Sequence, residues 1–209
     1  REVAKPGDVV KVRVMEVDGC PTEPRDLDAV GVRRARAAVI LADPRQGRLA
    51  DASSTLVAVA VERQNPEVHT VMELQDSVNR VHVRCTEVNE VVCLGELAEQ
   101  LIAQCCISPG IARVFEELLN AGGHTSQIFL VEVPPELAGS SYIELSRRLA
   151  QRGVPCVPCG FVTGPREAPR LVLNPRARAE PGRDTALGAG DRLVVIAYRA
   201  PDPEELAGP

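Results

Sequence analysis

Val10, Val12 and Val14 alternate with Lys11, Arg13 and Met15, a period of two that predicts a strand reaching Val17. Asp18-Gly19-Cys20-Pro21-Thr22 follows with turn chemistry. Thr22 or Asp26 then caps a short helix around Leu27 to Val30 that Gly31 stops. Ala37 to Ala42 is an apolar run of the kind buried on both faces of a parallel sheet, and Asp43-Pro44 ends it. From Leu49 to Arg63 the spacing is helical, with Leu49, Ala52, Leu56, Val59 and Ala60 on the inner side and Asn65-Pro66 as terminator. Val68 to Leu74 and Val88 to Val92 read as further strands, with a short helix from Gln75 to Arg80 between them. Strands and helices alternating over such short connections imply parallel strands with helical crossovers.

The clearest pattern lies in the middle of the chain. Leu94, Leu97, Ala98, Leu101, Ile102 and Cys105 follow helical spacing, and after Ser108-Pro109-Gly110 it resumes at Ile111, Val114, Phe115, Leu118 and Leu119. This predicts two helices joined by a sharp turn, both so apolar that they need a packing partner, for which a second subunit is a candidate. Gly122-Gly123 marks a boundary. Beyond it, strands are expected at Gln127 to Val133, Val154 to Thr163, Arg170 to Leu173 and Arg192 to Tyr198. A helix opens on a Ser141-x-x-Glu144 capping box and runs to about Arg152, with Gly153 as its C-cap. Pro201 onward reads as a polar tail. The fold class is α/β: a Rossmann-like parallel half-sheet whose N-terminal part is incomplete (1–93), a helix-turn-helix crossover (94–121) and a small C-terminal α+β subdomain (122–209).

Composition narrows the function. The 209 residues are 44% hydrophobic and 25% charged, as in globular proteins. A net charge of −5 with three Phe, two Tyr and no Trp argues against nucleic-acid binding by basic surfaces or stacking platforms. No apolar run approaches the roughly 18 residues that span a bilayer, and the N-terminus lacks a signal-peptide pattern. Seven cysteines, an odd number lying mostly in apolar segments, read as reduced buried thiols. Cys156-x-x-Cys159 is the one pair with redox or zinc spacing. It falls within a predicted strand with Pro155 and Pro158, without a following helix or a second ligand pair.

No glycine loop for phosphate binding occurs, and His69, His82 and His124 form no catalytic grouping. What remains are acids at expected strand ends: Asp18, Asp43 and Glu73. The C-termini of parallel strands share one edge, so these carboxylates are candidate ligands for a hard cation such as calcium. Each alone is more often a turn or cap residue.

Several strings, in order, resemble the RCK (regulator of potassium conductance) domain of prokaryotic potassium channels and Trk/Ktr-type uptake systems. They are Gly19 to Pro24 with Asp26-Leu27, Gly31-Val32, Ala35 to Leu41, Asn65-Pro66 and Val71 to Glu73, then the helix pair from Leu94 to Leu119. Val133-Pro134, Leu137-Ala138-Gly139, Leu173-Asn174-Pro175 and Gly190 to Leu193 continue the likeness. The resemblance implies a non-enzymatic cytosolic gating module beneath a potassium pore, a homodimer through residues 94–120, and assembly up to an octameric ring. It also implies calcium as a ligand, with Asp43 and Glu73 in the positions of its acids. Here, however, Glu73 is followed by Leu74 and Gln75, and Cys20 stands where the family has Asp. A nucleotide-sensing peripheral subunit of an uptake system is the alternative. A Rossmann-type oxidoreductase is disfavoured by the missing glycine loop.

Overall fold

A computed structural model of the chain describes residues 14–120, 125–165, 169–175 and 186–208. The described residues fall into two units, each with its own core, that meet in sequence between Pro109 and Gly110. The boundary expected at Gly122-Gly123 lies outside the described residues, as does the start of the strand expected from Val10. Residues 14–17, the described part of that strand, belong to none, and Val14, Met15 and Val17 are exposed.

In the N-terminal unit, β1 (Ala37–Ile40), β2 (His69–Leu74) and β3 (Glu90–Cys93) form a parallel sheet in the order β1-β2-β3. Ile40 stands beside Met72 and Glu73 beside Val92, which sets the register. Helix α1 (Pro24–Ala29) precedes β1, with Pro24 at its first position, where a missing N–H costs nothing. Its N-cap is Glu23. Neither Thr22 nor Asp26 caps it, because the Asp26 carboxylate is occupied by the Cys20 N–H at 2.8 Å. Gly31 then turns the chain with φ 78°, a left-handed conformation natural to glycine.

Helix α2 (Ala50–Gln64) links β1 to β2, and a 3-10 turn at Ser77–Asn79 with the short α3 (Arg80–Val83) links β2 to β3. Asn65 closes α2, its side-chain amide donating to the Val32 and Ala35 carbonyls. The buried face of α2 is not the expected one. Ala50, Asp51, Ser54, Ala58 and Val61 face inward, while Leu49, Leu56 and Val59 are exposed. Small side chains on the inner face let the helix approach the sheet closely, where Ala58 joins Ile40, Met72, Leu74, Val83 and Cys93 in one cluster. The strands are also not buried on both faces: Val39 is 67% exposed, because α2 and α3 contribute to the same cluster on a single side of the sheet. Helix α4 (Leu94–Ile107) ends this unit and has no buried residue.

The C-terminal unit starts with α5 (Ile111–Leu119), likewise without a buried residue. Its sheet is antiparallel: β4 (Gln127–Glu132), β5 (Cys156–Thr163), β6 (Arg170–Leu173) and β7 (Arg192–Ala197) in the order β4-β7-β5-β6. Helix α6 (Tyr142–Gln151) and helix α7 (Pro203–Ala207) contribute Tyr142, Leu145, Leu149 and Leu206 to a core with Val131, Phe161, Leu193 and Val195. Ser141 is the N-cap of α6, but its side chain makes no capping hydrogen bond. The C-terminus of α6 is a Schellman motif, with the Gly153 and Val154 N–H groups donating to Ala150 and Leu149 and Gly153 at φ 67°. The expected polar tail is instead an anchored helix. The Glu205 carboxylate accepts from the Asp202 N–H at 2.9 Å, and Leu206 and Pro201 are buried.

Candidate functional site

Parallel strands in register bring their C-terminal ends to one edge, and the edge of the N-terminal unit gathers its carboxylates there. Glu73, at the end of β2, reaches toward the end of β1: Oε2 accepts from the Ala42 N–H at 3.2 Å and Oε1 from Gln75 Nε2 at 3.2 Å. Asp43 starts a 3-10 turn (Pro44–Leu49), accepting from the Arg45 N–H at 3.0 Å and from Arg45 Nε at 2.9 Å, with Gln46 Nε2 at 3.5 Å. The Arg45 guanidinium beside Asp43 holds its carboxyl below the usual carboxylate range. Asp18 lies exposed in the segment before Gly19. The structure therefore brings Asp43 and Glu73 to the ends of neighbouring strands, but Asp18 belongs to no strand end.

These residues do not fit a calcium ion. Calcium takes about six to eight oxygen ligands. Here the Glu73 and Asp43 oxygens are met by N–H donors, and among the described residues no three His, Cys, Asp or Glu side chains form a group able to hold a metal.

One carboxylate at this edge was not anticipated. Asp51, in the first turn of α2, is 5% exposed. It accepts from the Gln75 N–H at 2.8 Å, the Asp76 N–H at 3.1 Å and Asn79 Nδ2 at 2.6 Å. Burial alone would raise its pKa, but those three bonds outweigh the desolvation and hold it below the ordinary value. Asp51 thus fixes the loop that leaves β2, two residues from Glu73. The signal in the sequence was an acid between Ala50 and Ser54, on the small-residue face of α2 rather than the leucine face.

Beside β1 lies a pocket of about 370 Å³, lined by residues 38–40 of β1, Leu41 and α2, with Asp43, Gln46, Ser53 and Ser54 as polar lining groups. Its walls are mostly apolar, and its volume is near the lower end of the range for small-ligand pockets. Elsewhere, Cys156 and Cys159 sit half-buried in β5, and burial pushes both thiols up, the opposite of what a reactive thiolate needs.

The chain spans 18% of the length of the ion channel POLLUX of Lotus japonicus and of the probable ion channel POLLUX of rice, which it matches over 86% of its own length at 27% and 28% identity. Its fold is that of the human SLO3 gating ring, with a TM-score of 0.67 and 18% identity over 91% of this chain and 37% of that one. Residues 9–72 match the slowpoke-like RCK domain of calcium-activated potassium channels. Residues 95–205, more than half of the chain, match the model described as Castor and Pollux, part of voltage-gated ion channel, and the chain belongs to that family.

Proposed function

We propose that the chain is a regulatory, non-catalytic gating domain that lies on the cytosolic side of a potassium-conducting channel and controls its pore. The observation that carries this reading is the pair α4 and α5. Both have apolar residues at helical spacing, neither has a buried residue, and Leu94, Leu97, Ile102, Val114, Phe115 and Leu119 are all exposed. Such apolar faces, one on each unit, mark assembly surfaces. Leu56 and Val59 of α2, with Leu49 just before it, form a further exposed apolar stripe. Two distinct apolar surfaces on one chain suit a ring, because a dimer uses only one self-complementary patch. Kinship with ion channels and the fold of a gating ring support the same reading.

Gating follows as a population shift between two arrangements of the assembled domains, driven by a ligand with different affinity for each. The pocket beside β1 is the site where such a ligand acts. Calcium is given no step, since the Asp43 and Glu73 oxygens are met by N–H donors and Asp18 belongs to no strand end.

Phe115→Asp tests the reading. An unpaired charge buried at an interface costs several kcal/mol, and each 1.4 kcal/mol is about tenfold in affinity. Light scattering is expected to show the assembled mass falling. Single-channel recording of the channel carrying the domain is expected to show open probability changed by about tenfold or more. Unchanged open probability in a variant shown to be monomeric would overturn the gating role.

A further inference from the structure

Beside the loop that leads into β3, one carboxylate is held in an unfavourable place. Glu62 lies one turn beyond Ala58 on the inner side of α2 and is half-buried. Its Oε2 accepts from the Glu87 N–H at 3.0 Å, while its Oε1 is out of solvent and accepts from no group among the described residues. A buried carboxylate oxygen without a donor penalises the charged form. Burial accordingly pushes the Glu62 carboxyl above its ordinary value; the Glu87 N–H opposes this and the Glu87 charge adds to it. Arg63 on α2, His69 at the start of β2, Arg84 in the loop and Glu90 at the start of β3 are all exposed, and none of them is paired with Glu62.

We propose that Glu62 is a proton-operated latch on residues 84–88: protonated, it holds this loop against α2, and ionised, it lets the loop loosen. Among the described residues, the Glu62–Glu87 bond is the one hydrogen bond between α2 and this loop. The loop's other ties are local or apolar. Thr86 bonds to the Val83 carbonyl, and Val88 packs against the cluster around Met72. Just beyond, Asn89 ties the start of β3 to β2: its Oδ1 accepts from the Thr70 N–H at 2.6 Å and its N–H donates to the Thr70 carbonyl at 3.1 Å. The loop and this tie seat β3 at its N-terminal end, and α4 follows β3 with no intervening residue. The latch therefore bears on the strand that carries α4. Protonation removes both the orphaned charge and the repulsion from Glu87, so the closed loop binds a proton more tightly than the open one, in which Glu62 is hydrated. The latch is fully tight below the ordinary pKa of the hydrated carboxyl and slackens as pH rises through the folded pKa of Glu62. Its regulatory use rests on the gating role proposed above; the latch itself does not.

The test uses the whole chain. The carboxyl carbon of Glu62, assigned by its disappearance in Glu62→Gln, is followed by NMR against pH. Hydrogen exchange of peptides covering residues 84–93 is measured by mass spectrometry and corrected for the intrinsic effect of pH. The titration midpoint is expected above the ordinary glutamate value of about 4.3. Protection of residues 84–93 is expected to rise as pH falls through that midpoint and to level off below about pH 4.3, changing by no more than about tenfold per pH unit because one proton is linked. Glu62→Gln has no proton to exchange and is expected to show no such rise. Glu87→Gln keeps the N–H but removes the repulsion; it is expected to lower the midpoint and leave a smaller response, and it serves as the test if Glu62→Gln does not fold. A midpoint at the ordinary value, the same pH profile in the parent and Glu62→Gln, or protection that rises with pH would overturn the latch. In the channel carrying the domain, open probability is expected to depend less on pH in Glu62→Gln than in the parent. Equal dependence beside a working latch overturns its regulatory use, whereas the gating role itself falls only with the Phe115→Asp test.

Discussion

Asp51→Asn is the sharpest probe of how the strand-end edge is held together. Asp51 is 5% exposed and accepts three hydrogen bonds between 2.6 and 3.1 Å, two from backbone N–H groups and one from Asn79. Bonds to a charged group contribute about 1.5–3 kcal/mol each. An asparagine offers one acceptor oxygen and turns its own NH2 toward donors, so at least one donor loses its partner. Burying a neutral amide costs less than burying a carboxylate, which returns part of the loss. The net expectation is a destabilisation of about 2–3 kcal/mol, or a fall of roughly 10–20 °C in the melting temperature of a unit this size. The chain has no Trp, so far-UV circular dichroism is the suitable probe of unfolding. The pH dependence is a second check. The folded pKa of Asp51 lies below its unfolded value, so its contribution is complete above the unfolded pKa, about 4, and is lost as pH falls through the folded one. The gap between parent and variant should be constant from about pH 7 to pH 5 and narrow below about pH 4. A variant within about 0.5 kcal/mol of the parent at pH 7, or a gap that does not narrow in acid, would refute the reasoning.

Other outcomes follow from the same geometry. Leu206→Ala, which empties a 2% exposed position in the last helix, is expected to cost the C-terminal unit about 2–4 kcal/mol; a cost below about 0.5 kcal/mol in urea unfolding restores the polar tail. Iodoacetamide is expected to modify Cys20, whose pKa is lowered mainly by the Thr22 hydroxyl, several-fold faster than Cys156 or Cys159, whose pKa values are raised by burial. Peptide mapping that finds the strand cysteines alkylated first contradicts this. Calcium at about 1 mM is expected to move the melting temperature by less than about 1 °C; a larger saturable shift, lost in Asp43→Asn or Glu73→Gln, reinstates a cation site.

The sequence made the order of elements legible because each is written in its own period. The strand read at Val68 to Leu74 became β2, and the helical spacing after Leu94 and Ile111 became α4 and α5, with boundaries within a few residues. What it hid were matters of facing. The larger side chains of α2 suggested that Leu49, Leu56 and Val59 point inward, but close packing on the sheet selected Ala50, Ser54 and Ala58. Periodicity reports an apolar stripe without saying whether it meets the protein's own core or another surface. The same ambiguity concealed Asp51: an acid on a buried face violates the pattern unless its donors are known, and those donors lie 24 to 28 residues away. Capping motifs misled in both directions, since Ser141 matches the capping pattern without making the bond, while Asp202 and Glu205 form theirs in a segment read as tail. For the site, the strand ends were found correctly at Asp43 and Glu73, but what each carboxylate holds was not legible, because Arg45 and the Ala42 N–H compete for the same lone pairs.

The chain passes from one core to the other between Pro109 and Gly110, so α4 belongs to the first unit and α5 to the second. In a dimer that uses both helices, each unit of one subunit lends a helix to a shared interface, and neither can melt without loosening the other. The two transitions would then move together and rise with protein concentration, whereas in a monomer they would be independent of it. Dilution alone should separate them, making the chain's thermal profile a direct reading of how many copies stand together.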